Sequence, residues 1–217
     1  MRDLKSNTKR LVLLLRHAQT LWNQESRLQG QQDTDLTPDG IFKTHAYRQQ
    51  LLLHPILFCP QHSKIVSSDL KRAAHTAQIL FSDTHLIDTD QRLREGSYGL
   101  FEGLKKEEIK TRYPKMYEQW INQTPGFSIP NAEPKSLIYE RVSFCVQDFI
   151  TQHTQPIVIF ITHGGVIKLL LNKLNINVER PIENLSMHAL FLDSAKINIE
   201  TPVADLAQAL SFIQPFA

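Results

Sequence analysis

The run Leu11-Val12-Leu13-Leu14-Leu15 constrains this chain more than any other stretch, because five aliphatic residues follow one another without alternation and stop at Arg16-His17. A half-buried strand alternates apolar and polar side chains, so an unbroken run fits a strand covered on both faces, as in a parallel sheet sandwiched between helices. Such sheets bind ligands at the carboxyl ends of their strands. Arg16 and His17 stand at that end, and the polar residues Gln19, Thr20 and Asn23 follow. Residues 157–161 repeat the pattern and run into Thr162-His163-Gly164-Gly165. Glycines between a strand and a helix let main-chain N–H groups approach an anion, and the partial positive charge of the helix start favours it. Two histidines thus reach one sheet edge, beside an arginine and a glycine pair. Spacing alone leaves their roles interchangeable.

The remaining segments supply the layers. Thr37-Pro38-Asp39-Gly40 reads as an N-cap and first turn, with a helix running to about residue 53. A second strand is expected over 64–67, and Ser68 or Asp69 is expected to cap a helix through about residue 81, with Arg72 in its first turn. A third strand over 86–93 would deliver Glu95 to the same edge. Residues 101–134 change character: two short helical pieces, 105–112 and 114–122, precede a cluster of Pro125, Gly126, Pro130 and Pro134. This stretch reads as a small helical cap inserted into the fold. A long helix over 135–153 leads into the strand over 157–161, and a helix over 166–175 follows. Residues 187–192 and 197–199 predict an edge hairpin, and 202–216 a terminal helix. The expected fold is therefore α/β, a three-layer sandwich with a mostly parallel central sheet. A chain of 217 residues, 41% of them hydrophobic, can bury one such core, here read as a single domain preceded by a leader over 1–10.

Charge narrows the function classes. Twenty-four basic residues stand against 22 acidic ones, a net +2 with no basic stripe, so neither nucleic acid nor a membrane surface is an expected partner. No stretch approaches the ~18 continuous apolar residues of a membrane span. Cys59 and Cys145 have no CxxC spacing and read as reduced thiols of a cytoplasmic protein. The nine histidines show no HxH or HExxH spacing, so no metal centre is expected.

Four groups of residues carry a resemblance. They are Arg16-His17 with Asn23, Arg27, Gly30 and the run Asp35 to Gly40; Ser67-Ser68-Asp69-Leu70-Lys71-Arg72-Ala73; Leu93-Arg94-Glu95 with Tyr98-Gly99 and Glu102-Gly103; and His163-Gly164-Gly165. In this order, over residues 11–170, they resemble the motifs of the histidine phosphatase superfamily, the phosphoglycerate mutase-like branch 1. The resemblance implies that His17 is the nucleophile, forming a phosphohistidine, and that Glu95 is the general acid. It further implies that His163 is the third catalytic residue, completing the cradle in which Arg16, Arg72, Asn23, Thr20 and the N–H of Gly164 hold the substrate phosphate, without metal or cofactor. Glu102 is expected to be structural and Arg27 to brace the first loop. A homodimer is an assembly known among mutase-like relatives.

The chain departs from mutase-type relatives where these carry an arginine directly after the acid, here Gly96, and an arginine pair after the tryptophan of the insertion, here Trp120-Ile121-Asn122. Ala18 replaces the motif's glycine, and Gln19 its more frequent glutamate. The expectation is a phosphatase acting on a small phosphorylated metabolite. A mutase-type isomerase and an inactive phosphate- or partner-binding module are the alternatives.

Overall fold

In the computed structural model, which describes residues 10–178, 180–192 and 206–211, the two apolar runs lie side by side in the middle of a five-stranded sheet. Strand β1 (Arg10–Arg16) pairs in parallel with β4 (Ile157–Thr162), from Leu11 opposite Ile157 to Arg16 opposite Thr162. Strand β2 (Ser63–Ser67) pairs in parallel with β4, and β3 (Asp88–Thr89) with β2. Strand β5 (Met187–Leu192) closes the other edge antiparallel to β1, giving the order β3-β2-β4-β1-β5. Four parallel strands with one antiparallel edge match the mostly parallel sheet expected from the unbroken apolar runs.

Alternation then sorts each run onto two covered faces. Leu11, Leu13, Leu15, Ile157, Ile159 and Ile161 pack with Leu51 of helix α2 (Pro38–Leu51), with Ala73, Ala77 and Leu80 of α3 (Lys71–Phe81), and with Leu210 of α8 (Leu206–Ser211). Val12, Leu14, Val158 and Phe160 face the other way, onto Val142 and Val146 of α6 (Lys135–Gln152) and Val166 and Ile167 of α7 (Gly164–Lys173). With helices on both faces, no position of the runs tolerates a polar residue. Truncating one of these leucines to Ala would cost about 2–5 kcal/mol.

Three local expectations are corrected. Helix α2 begins as read, Thr37 Oγ1 accepting from Gly40 N at 2.8 Å, and ends at Leu51 rather than 53. Helix α3 is capped neither by Ser68 nor by Asp69: its N-cap residue is Leu70, and the carboxylate of Asp33 accepts from the N–H groups of Lys71 and Arg72. Ser68 and Asp69 are engaged elsewhere, with His163 and Arg94. The third strand keeps two residues, because Asp90 Oδ1 accepts from Arg92 N at 2.8 Å and turns the chain into a 3-10 turn, Gln91–Leu93.

Two short helices, α4 (Lys106–Arg112) and α5 (Pro114–Ile121), form within residues 101–134 around a separate cluster of Phe101, Ile109 and Ile129. The strand expected over 197–199, residues 1–9 and most of 202–216 lie outside the described residues, of which 206–211 are helical. Cys59 and Cys145 are free thiols. Among the described residues no helix is long and apolar enough to cross a membrane.

Candidate active site

The parallel register decides where the site lies. With Arg16 opposite Thr162, the next residues, His17 and His163, leave the sheet at the same height. His17 N donates to Thr162 O at 3.0 Å, and the two imidazole rings stand 5.2 Å apart at 58°. Both side chains are buried. His17 Nδ1 lies 2.7 Å from Ala18 O, and a carbonyl only accepts, so Nδ1 carries the proton and Nε2 the lone pair. Burial above all, then the guanidinium groups of Arg72 and Arg16, pushes the His17 pKa well below 6.5 and keeps the ring neutral. Ala18 is buried, keeps a negative φ and donates its N–H to Thr76 Oγ1 at 3.0 Å, so alanine in place of the motif's glycine strains nothing.

His163 is held from the opposite side. Its Nε2 is 2.9 Å from Ser68 Oγ, which also accepts from Leu70 N at 3.3 Å. Burial, then Arg72, His17 and Arg16, lowers its pKa well below 6.5 as well. Two arginines converge on the histidine pair. Arg16 donates through Nη1 to Ile182 O at 2.5 Å, and its side chain lies against Gly164, where an added Cβ would come within 3.2 Å of Nε. Arg72, 1% exposed, is fixed on its outer side by Gln32 O, Gly30 O and Asp33 Oδ1 at 2.7–2.8 Å. Gly30 takes φ +56 there, and a Cβ on it would strike Glu102 Oε1 at 1.9 Å.

Glu95 meets the pair from the third side. Its Oε1 accepts from Gly96 N at 3.0 Å and its Oε2 from Gly165 N at 2.9 Å, an N–H of the first turn of α7 that has no intrahelical acceptor. The charge of Glu95 and then burial raise the pKa of Tyr98, so this phenol stays protonated. Glu102 accepts from the N–H groups of Gln31 and Tyr98 at 3.1 and 2.9 Å, a bracing role as expected. Arg27 ties the first loop to Gly103 O and Glu108, both at 2.8 Å.

Arg16, His17, Arg72, Glu95, His163 and Gly164 are thus brought together. Thr20 and Asn23 instead cap each other across helix α1 (Leu21–Gln24): Thr20 Oγ1 accepts from Asn23 N at 3.1 Å and Asn23 Oδ1 from Thr20 N at 3.2 Å. Asn23 is joined to the site through Asn184, whose Nδ2 donates to His17 O at 2.9 Å and to Asn23 Oδ1 at 3.3 Å. Asn184 was not legible in the sequence; its one local trace is Leu185 at φ +62, and its partners lie more than 160 residues away. Among the described residues no group of three His, Cys, Asp or Glu is placed to hold a metal ion.

The sequence profile of the histidine phosphatase superfamily (branch 1) matches residues 12–202. The chain belongs to this superfamily. Phosphoglycerate mutase-like protein 4 of Arabidopsis thaliana is 30% identical over 165 residues, covering 75% of this chain and 70% of that protein. Probable phosphoglycerate mutase GpmB of Yersinia pestis is 31% identical over 164 residues, covering 75% and 74%. A mycobacterial glucosyl-3-phosphoglycerate phosphatase, solved with VO3, superposes with a TM-score of 0.71 at 28% identity, covering 85% of this chain and 97% of that one. The family is thus shared with relatives named as mutases, and the fold with a structure named as a phosphatase.

Proposed function

We propose that this histidine phosphatase hydrolyses a small phosphomonoester through phospho-His17, without a metal ion. One observation carries the proposal. Six buried side-chain polar atoms of the described residues have no hydrogen-bond partner, and three of them, Arg16 Nε, Arg72 Nε and His163 Nδ1, belong to the residues grouped around His17. Buried donors are rarely left unpaired, and a phosphate offers acceptor oxygens to all three. Ser68 Oγ accepts from Leu70 N and can give its own proton to His163 Nε2, the tautomer in which the His163 proton stands on Nδ1, facing the phosphate.

Phosphoryl transfer needs positioning and charge stabilisation more than covalent chemistry. In the first step His17 Nε2 attacks phosphorus, the ester P–O bond breaks, and the Glu95 carboxyl gives its proton to the departing oxygen. In the second, the Glu95 carboxylate takes a proton from water, the water oxygen attacks phosphorus, the P–N bond breaks and phosphate leaves. Arg16, Arg72 and the start of α7 offset the phosphate charge in both.

Transfer to water rather than back to a sugar acid is favoured by the surroundings of Gly96. A Cβ at this position would lie 2.4 Å from Ile138 Cδ1, so an arginine there would first have to displace the end of this buried side chain of α6. Trp120 packs edge-on against Phe101 and Tyr117 and is followed by Ile121-Asn122 rather than by an arginine pair. The mutase reading draws on the relatives bearing that name. Phosphate release from a panel of phosphomonoesters in EDTA, comparing the native enzyme with His17→Ala and Glu95→Ala, separates the two. Release that survives EDTA and disappears in His17→Ala supports the proposal. No release, together with interconversion of phosphoglycerates primed by the bisphosphate, replaces it with the mutase reading.

A further inference from the structure

The carboxylate of Glu95 is held from in front by two glycine N–H groups, but the peptide that carries it is held from behind by an arginine of α6. Arg141 donates through Nη1 to Arg92 O at 2.6 Å and through Nη2 to Glu95 O at 3.2 Å. Its other edge pairs with Glu133, Nε to Oε1 at 2.7 Å and Nη2 to Oε2 at 3.0 Å. Glu133 in turn accepts from Ser97 N at 3.4 Å, and its own N–H donates to Ser97 O at 3.0 Å. Gln31 Nε2 adds a bond to Glu95 O at 3.3 Å. One planar fork therefore fixes the main chain at residues 92 and 95, while its carboxylate partner fixes residue 97.

We propose that Arg141, oriented by Glu133, is the positioning residue for the Glu95 acid, setting the peptide orientation from which its carboxyl reaches the leaving oxygen. The inference rests on the phosphatase reading above. The arginine's geometry is the argument: five N–H donors in a rigid plane serve two carbonyls and a carboxylate at once, which the single ammonium of lysine does not reproduce. The hydrogen bonds of Arg141 go to Arg92, Glu95 and Glu133 and to none of the phosphate-holding residues, while its charge also helps to lower the pKa of His163, so the test reads the leaving group rather than overall activity.

The test uses the dependence of kcat/KM on leaving group, because this ratio reports the step in which the ester bond breaks. p-Nitrophenolate, with a conjugate-acid pKa of about 7, departs with little help, whereas phenolate, with one of about 10, needs the proton. Arg141→Lys is expected to lose about 10-fold on phenyl phosphate and less than about 3-fold on p-nitrophenyl phosphate, the direction in which Glu95→Gln shows a larger gap. Glu133→Gln, which weakens the fork without removing it, is expected to show the same gap and serves if Arg141→Lys does not fold. Glu140→Gln, at an exposed neighbouring position on α6, is expected to show none. Equal losses on both esters, or no loss on either, with Glu95→Gln still discriminating, overturn the role of Arg141 alone. Absence of discrimination in Glu95→Gln, or turnover surviving in His17→Ala, overturns the phosphatase mechanism and this inference with it.

Discussion

Gly165→Ala separates stability from catalysis at this site. Gly165 has a negative φ in the first turn of α7, so alanine adopts its backbone without strain, and the lost chain entropy of glycine favours the variant by about 0.5–1 kcal/mol. The added Cβ, however, would stand 2.5 Å from Glu95 Oε1 and 3.0 Å from its Cδ. Restoring an ordinary contact of about 3.4 Å drives the carboxylate back by roughly 0.9 Å and loosens its bond to Gly165 N. The end of a glutamate side chain swings at small cost, so the fold absorbs the change. A displacement of about 1 Å at a reacting group, by contrast, can lower the rate by about 10²-fold, near 2.7 kcal/mol of transition-state stabilisation. Urea denaturation and kcat/KM for phenyl phosphate are the two readouts: the midpoint is expected to stay or rise while kcat/KM falls between about 10- and 100-fold. A folded variant within about 3-fold of native activity would refute the placement of Glu95 as the acid, and a large loss of stability would refute the cheap retreat of its side chain.

Two further expectations concern the buried charges. His17 and His163 have folded-state pKa values well below the 6.5 of the unfolded chain, so below about pH 6.5 protons bind the unfolded state preferentially. Stability fully present above that pH is expected to fall by up to about 1.4 kcal/mol per pH unit for each histidine, continuing until the folded pKa values are passed; a urea midpoint flat from pH 7 to 5.5, or unaltered in slope by His163→Asn, would count against it. Arg72→Met strips donors from Asp33, Gly30 O and Gln32 O in a buried setting and is expected to destabilise by about 3–5 kcal/mol by urea denaturation, whereas a cost under about 1 kcal/mol would mean that the loop closes over the gap.

The central strands were legible because burial on two faces writes an unbroken apolar run, and that run also marks where the histidines emerge. Strand and helix ends placed Arg72 and Glu95 at the same edge and the motifs gave them roles, but what holds them escapes local reading. Asp33 caps α3 from 38 residues away, a task that Ser68 and Asp69 suit equally well by composition. The third strand is short because a side chain at Asp90 closes a turn, outcompeting residues that read as extended. Asn184 and Arg141 act at separations of 167 and 46 residues, where nothing in the neighbouring sequence names the partner.

The pairing of β1 with β4 has a consequence for divergence. A slip of one residue between them would shift one histidine by about 3.3 Å along the strand and turn it to the opposite face. An insertion or deletion within 11–15 or 157–161 therefore separates the two histidines, whatever happens to the core. Within residues 101–134, which lie outside that ladder, Glu102, Gly103, Glu108 and Glu133 tie back to the site, whereas the stretch between Glu108 and Glu133 can change in length while the two histidines keep their spacing. On the proposed reading, substrate choice changes at that periphery, while the histidine pair is kept as a count of residues along two strands.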